Sequence, residues 1–143
     1  MIALAAALLG GCIDALAPEV GPPLRAVCVN EDSDPTKDVS FATDLRDKIF
    51  APRCGFCHTP TASTPIGVTL GGLDLSTYAT LRSGGVNSAQ TIVVPGRPCQ
   101  SVLVQKVMEG PPFGDRMPEN GPPYLSRAEV TLLSDWIAEG ARE

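Results

Sequence analysis

Apolar residues recur at four-residue spacing through Phe41, Leu45 and Ile49, directly after Ser40, whose side-chain oxygen suits a helix N-cap. Asp44 falls in the first turn, where the helix dipole favours a negative charge. Pro52 disfavours helix at Ala51, so this helix is expected to stop there and deliver the chain to Cys54. A second helix is expected from Ser76 to the Gly84-Gly85 pair, with Tyr78 and Leu81 on one side. The β-branched run Thr91 to Val94 reads as an extended segment or a core strand, ended by Pro95-Gly96. Pro98 then opens a third helix, with Leu103, Val104, Val107 and Met108 on its apolar face and Gly110 as its stop.

The last helix is the best defined. Ser126-Arg127-Ala128-Glu129 fits a capping box, in which serine and glutamate satisfy each other's terminal N–H groups. Val130, Leu132, Leu133, Trp136 and Ile137 fall in one arc of about 160°, with Thr131, Ser134, Asp135, Ala138 and Glu139 on the expected wet side. The simplest partner for that apolar arc is the Phe41, Leu45, Ile49 face, because two long apolar faces in a small helical chain must be covered. Between the elements lie an irregular run, Thr59 to Gly72, and a stiff loop, 111–123, with five prolines. The expected class is therefore all-α and loop-rich.

Composition sharpens this picture. A chain of 143 residues has room for one domain and one modest core, and no internal repeat is visible. Hydrophobic residues make up 43% but aromatics only 5%, so the protein has few large side chains with which to fill an interior. Eleven Lys and Arg against 16 Asp and Glu leave a net charge of -5, a poor balance for a nucleic-acid partner.

The chemistry centres on Cys54-Gly55-Phe56-Cys57-His58. Two thiols three positions apart can bond both vinyl groups of one haem, and the histidine that follows can ligate its iron. A zinc ribbon needs a second C-x-x-C or C/H pair, which this sequence lacks, and thioredoxin-like sites want βαβ surroundings that are also missing. His58 is the only histidine, which excludes bis-histidine ligation within one chain and a second haem of this type. The distal ligand then comes from Met117, Met108, a weaker donor or nothing. A stiff loop can aim the Met117 thioether at iron, whereas Met108 is explained by core packing one helical turn after Val104. Arg97 or Arg116 is a candidate partner for a haem propionate. No G-x-S-x-G or Walker sequence points to another reaction.

Residues 1–11 read as a signal peptide whose apolar run of about ten is shorter than the ~20 needed to span a bilayer. Leu9-Gly10-Gly11-Cys12 resembles a bacterial lipobox, which implies lipidation of Cys12, although no Lys or Arg precedes the apolar run. Residues 12–38 are rich in Pro, Gly and acids and read as a tether, with a reach on the order of 20 Å over its first 16 residues. With Cys12 assigned to lipid and Cys54 and Cys57 to haem, Cys28 and Cys99 remain as an expected disulfide of an exported protein.

Taken together, Cys54 to His58, Gly72-Leu73-Asp74-Leu75, Val94 to Pro98, Met117-Pro118, and Leu125-Ser126 through Trp136 to Ala141 resemble a class I cytochrome c. More narrowly, these runs resemble the cytochrome c domains common in environmental bacteria, including the planctomycete-type group, over roughly 39–142; the domain is taken as 39–143. It implies a small all-α fold with N- and C-terminal helices in contact around one covalent haem c. His58 would be the proximal and Met117 the distal axial ligand. The function implied is one-electron transfer to redox partner proteins in the periplasm or cell envelope, at a membrane through the lipid anchor. The competing readings are a haem subunit of an envelope oxidoreductase or peroxidase-like enzyme, and a gas-binding module in which a diatomic displaces Met117.

Overall fold

The computed structural model describes residues 28–143. The expected signal peptide (1–11), the lipidation site Cys12 and the tether as far as residue 27 lie outside the described residues. The described residues run through a π-helix, Phe41–Cys54, and five α-helices: α1 Gly55–His58, α2 Ile66–Thr69, α3 Tyr78–Ser83, α4 Val102–Val107 and α5 Arg127–Ala138. Short 3-10 turns at Asn30–Asp32, Ala89–Ile92 and Pro98–Gln100 connect them. Among the described residues there is no strand, and no helix is long and apolar enough to cross a membrane.

The π-helix starts as its sequence dictates. The Ser40 hydroxyl accepts the Thr43 N–H at 3.3 Å, while the Ser40 N–H donates to the Asp44 carboxylate at 3.0 Å. It does not stop at Ala51, as the proline led one to expect. Winding of the i→i+5 type, closed at its end by the Gly55 N–H on the Phe50 carbonyl, carries the helix through Pro52 to Cys54. Proline is excluded from α-helix interiors because its ring meets the carbonyl of residue i−4 and it offers no N–H; a wider turn relaxes the first constraint.

Phe41, Leu45, Ile49 and Phe50 are buried, and α5 covers them with Leu133, Trp136 and Ile137. The crossing is aromatic. The Phe41 ring lies 5.9 Å from Trp136, 5.6 Å from Tyr78 and 6.0 Å from Phe50, in the range where tilted and edge-on rings attract. Four of the seven aromatic side chains thus fill one helix crossing. Two hydrogen bonds then tie down the C-terminal residues: Trp136 Nε1 donates to the Arg142 carbonyl at 2.6 Å, and the Tyr78 hydroxyl to that of Ala141 at 2.8 Å.

α3 begins two residues later than expected, with Thr77 as N-cap in a reciprocal pair with Thr80. It ends at Gly84, whose φ of +74° is a conformation glycine adopts without a Cβ penalty. The β-branched run is a 3-10 turn as far as Ile92 and extended at Val93, with both of these side chains buried. The expected third helix is two pieces. The buried Ser101 separates Pro98–Gln100 from α4, with its hydroxyl accepting the Val94 N–H at 2.8 Å and donating to the Arg97 carbonyl at 3.0 Å. α4 closes at Val107, which leaves Met108 as a half-buried, extended residue against the core.

The expected wet side of α5 is where sequence periodicity failed. Ser134 and Asp135 are buried, because residues 28–39, expected as the end of a tether and the start of the domain, lie across that face. The Asp34 N–H donates to Asp135 at 2.7 Å, the Val39 N–H to Glu139 at 3.0 Å, and the Cys99 N–H to the Asn30 side chain at 2.9 Å. Cys28 and Cys99 are joined as a disulfide, with the sulfurs 1.98 Å apart. A polar helix face was thus matched by polar backbone from a distant segment, which a helical wheel does not encode.

Candidate functional site

Because the π-helix persists through Pro52, Cys54 is its last residue and α1 carries Cys57 and His58 directly onward. The two thiols are free, although only two residues separate them. Burial pushes the Cys54 thiol up to about 12, so it is a neutral S–H at physiological pH. That state is unlike the exposed, low-pKa thiolate of a redox dithiol. Among the described residues no three His, Cys, Asp or Glu side chains gather as a metal-binding group.

His58 is held at two points. Its Nδ1 lies 2.9 Å from the Leu73 carbonyl, and its own carbonyl accepts the Leu75 N–H at 2.9 Å. A carbonyl can only accept, so Nδ1 carries the proton and, in the neutral ring, the Nε2 lone pair is free. Gly67 of α2 closes the third side. A Cβ there would stand 2.4 Å from both Cε1 and Nδ1 of the imidazole, so only glycine allows this approach. The Gly67 carbonyl in turn accepts the Leu73 N–H at 3.0 Å, completing a ring of contacts from His58 to Leu73 to Gly67. These contacts fix the tautomer and the ring orientation of His58.

Met117 is half-buried against the core, in the loop between α4 and α5, and its N–H donates to the Lys106 carbonyl at 2.7 Å. Arg53, next to Cys54, reaches the far end of the same loop and donates to the Pro123 and Tyr124 carbonyls at 2.9 and 2.8 Å. The cysteine end of the site and the methionine loop are therefore mechanically linked.

Of the two candidate propionate partners, Arg116 is already committed. Its Nε donates to the Val107 carbonyl at 2.9 Å, and its guanidinium stacks 4.2 Å above the Tyr124 ring. Arg97 is exposed, with only a 3.4 Å contact to Gln100. A cleft of about 460 Å³ lies between Cys28, Asp32, Met108, Arg116, Val130 and Ser134, but Cys54, Cys57 and His58 do not line it.

Gly67, Arg53 and Lys106 were not singled out by sequence reasoning, and Leu73 was named only within a run, with no role for its carbonyl. A main-chain carbonyl carries no sequence signal, and Gly67 sits in a run where loop glycines are ordinary. No family model matches the chain, and neither a curated protein nor a solved structure does so.

Proposed function

We propose that this chain is a monohaem c-type cytochrome of class I fold, a carrier of single electrons in the cell envelope and not an enzyme. The observation that carries the reading is the pairing of two free thiols, Cys54 and Cys57, with an adjacent histidine whose Nδ1 is engaged by a backbone carbonyl. A haem c attached there supplies a one-electron iron couple. Its iron would be held from the chain by His58 and Met117.

Each residue then has a defined task. Cys54, held as a neutral thiol, and Cys57 would each add across a vinyl group to give a thioether. His58 offers Nε2 as the proximal ligand, and the Leu73 carbonyl strengthens it as a donor by drawing on the Nδ1 proton. Met117, from its anchored loop, is the distal ligand; a thioether favours the less charged iron and raises the potential. The π-helix and α5 crossing holds the two halves together. Lipid attachment at Cys12 would keep the carrier at a membrane, and a net charge of -5 favours redox partners with a positive docking face.

The test is a visible spectrum and an intact mass of the full chain produced with haem-maturation factors. One covalent haem, a low-spin reduced spectrum and a weak far-red band in the oxidised protein are expected. Met117→Ala should abolish that band, and Met108→Ala should leave it. Rapid binding of CO by the parent protein would sink the six-coordinate assignment, and covalent haem surviving loss of both cysteines would sink the attachment site.

A further inference from the structure

Lys106 does something that its position on the polar side of α4 does not require. It is part-buried, and its ammonium turns back to donate to the Phe113 carbonyl at 2.6 Å and to the Asp115 carbonyl. The same Nζ lies 4.9 Å from the centroid of the Phe113 ring. Its own carbonyl accepts the Met117 N–H. Residues 113, 115 and 117, alternate positions along the loop, are thus all fastened to one residue. Arg116 adds a second attachment, from its guanidinium to the Val107 carbonyl.

We infer that Lys106 is the positioning residue for the distal thioether: it sets how firmly the loop presents Met117. This rests on the reading of Met117 as the distal iron ligand. A methionine held on a pinned loop competes with an outside ligand without first paying to order its backbone. Without the ammonium, the carbonyls of 113 and 115 turn to water, and the loop exchanges one fixed conformation for many. Loss of two charge-assisted bonds at a partly exposed site corresponds to about a tenfold shift in that competition.

The probe is free imidazole, titrated into the oxidised haem protein and followed by loss of the far-red band. Lys106→Met, which keeps most of the stem but no donor, should bind imidazole about tenfold more tightly than the parent. Lys106→Gln, shorter but still a donor, should fall between them and stands as the second arm if the methionine variant does not accumulate. Lys48→Met, on the π-helix and paired with Asp44 at 2.7 Å, is the control and should leave the affinity unchanged. Parent-like affinity in both Lys106 variants overturns the inference, as does an equal shift in the Lys48 control. If the parent shows no far-red band and Met117→Ala leaves imidazole binding unaltered, the distal assignment itself has failed and the inference falls with it.

Discussion

Replacing Gly67 by alanine tests the proximal half of the site with a single methyl group. The new Cβ would lie 2.4 Å from two atoms of the His58 ring, about 1 Å inside ordinary van der Waals contact. Either α2 moves or the ring retreats. A ring that retreats by that amount stretches the 2.9 Å Nδ1 contact to Leu73 beyond hydrogen-bonding range. The cost combines overpacking, about 1–3 kcal/mol, with one lost hydrogen bond, about 1 kcal/mol. For a domain of this size, that is roughly a 10 °C fall in Tm. The haem protein should also show a raised reduction potential, since a histidine deprived of its carbonyl partner is a weaker donor and the oxidised iron suffers more. Because His58 is the only histidine, its Nδ1 proton can be followed without assignment by nuclear magnetic resonance in the diamagnetic reduced protein. That proton should exchange slowly in the parent and rapidly in Gly67→Ala. An unchanged Tm together with a still-protected Nδ1 proton would refute the packing argument.

Three further outcomes follow from the same geometry. Replacing Cys28 and Cys99 together by serine opens a link across 71 residues and should cost about 2–4 kcal/mol in chemical denaturation, with faster exchange of the Asp34 amide; an unmoved midpoint contradicts it. Arg53→Gln removes two bonds to the Pro123 and Tyr124 carbonyls, and should cost about 2 kcal/mol and expose the 111–125 loop to limited proteolysis. Resistance equal to the parent's would count against the link. In the α5 capping box, the Ser126 N–H holds the Glu129 carboxyl below its ordinary value of 4.5. Its stabilisation is therefore complete above about pH 4.5 and is lost as the pH falls through the lower folded-state value. Glu129→Gln should lower Tm at neutral pH and converge on the parent in acid; parallel curves would exclude the effect.

How much was legible in the sequence depended on how local the determining contact was. The Ser40 cap, the Ser126–Glu129 box and the apolar faces meeting at Phe41 and Trp136 are set by residues within one or two turns, and they stand as read. The buried Asp135 is different. Its partner is the Asp34 amide, 101 positions away, and no periodicity within α5 announces it. The end of the π-helix was misread for another reason: the rule against proline is a rule about α-winding, and this segment is wound more widely.

The two sides of the candidate site divide in the same way. Everything that orients His58 lies between residues 54 and 75, so the proximal side is contiguous and its motif announces it; its supports, the Leu73 carbonyl and the bare Gly67 surface, are read only in three dimensions. The Met117 side is assembled from α4, the proline-rich loop and Arg53, and its anchors act on main-chain carbonyls of residues 113, 115, 123 and 124. Carbonyls are supplied by any residue, so the loop's side chains can change while Met117 keeps its place, provided that Lys106 and Arg53 remain. On the reading proposed here, the iron's proximal donor is fixed by local sequence, and the hold on its distal donor is adjustable through two cations that do not touch the iron. Tuning of the potential without loss of the haem would then be sought at Lys106 and Arg53 before any residue of the attachment motif.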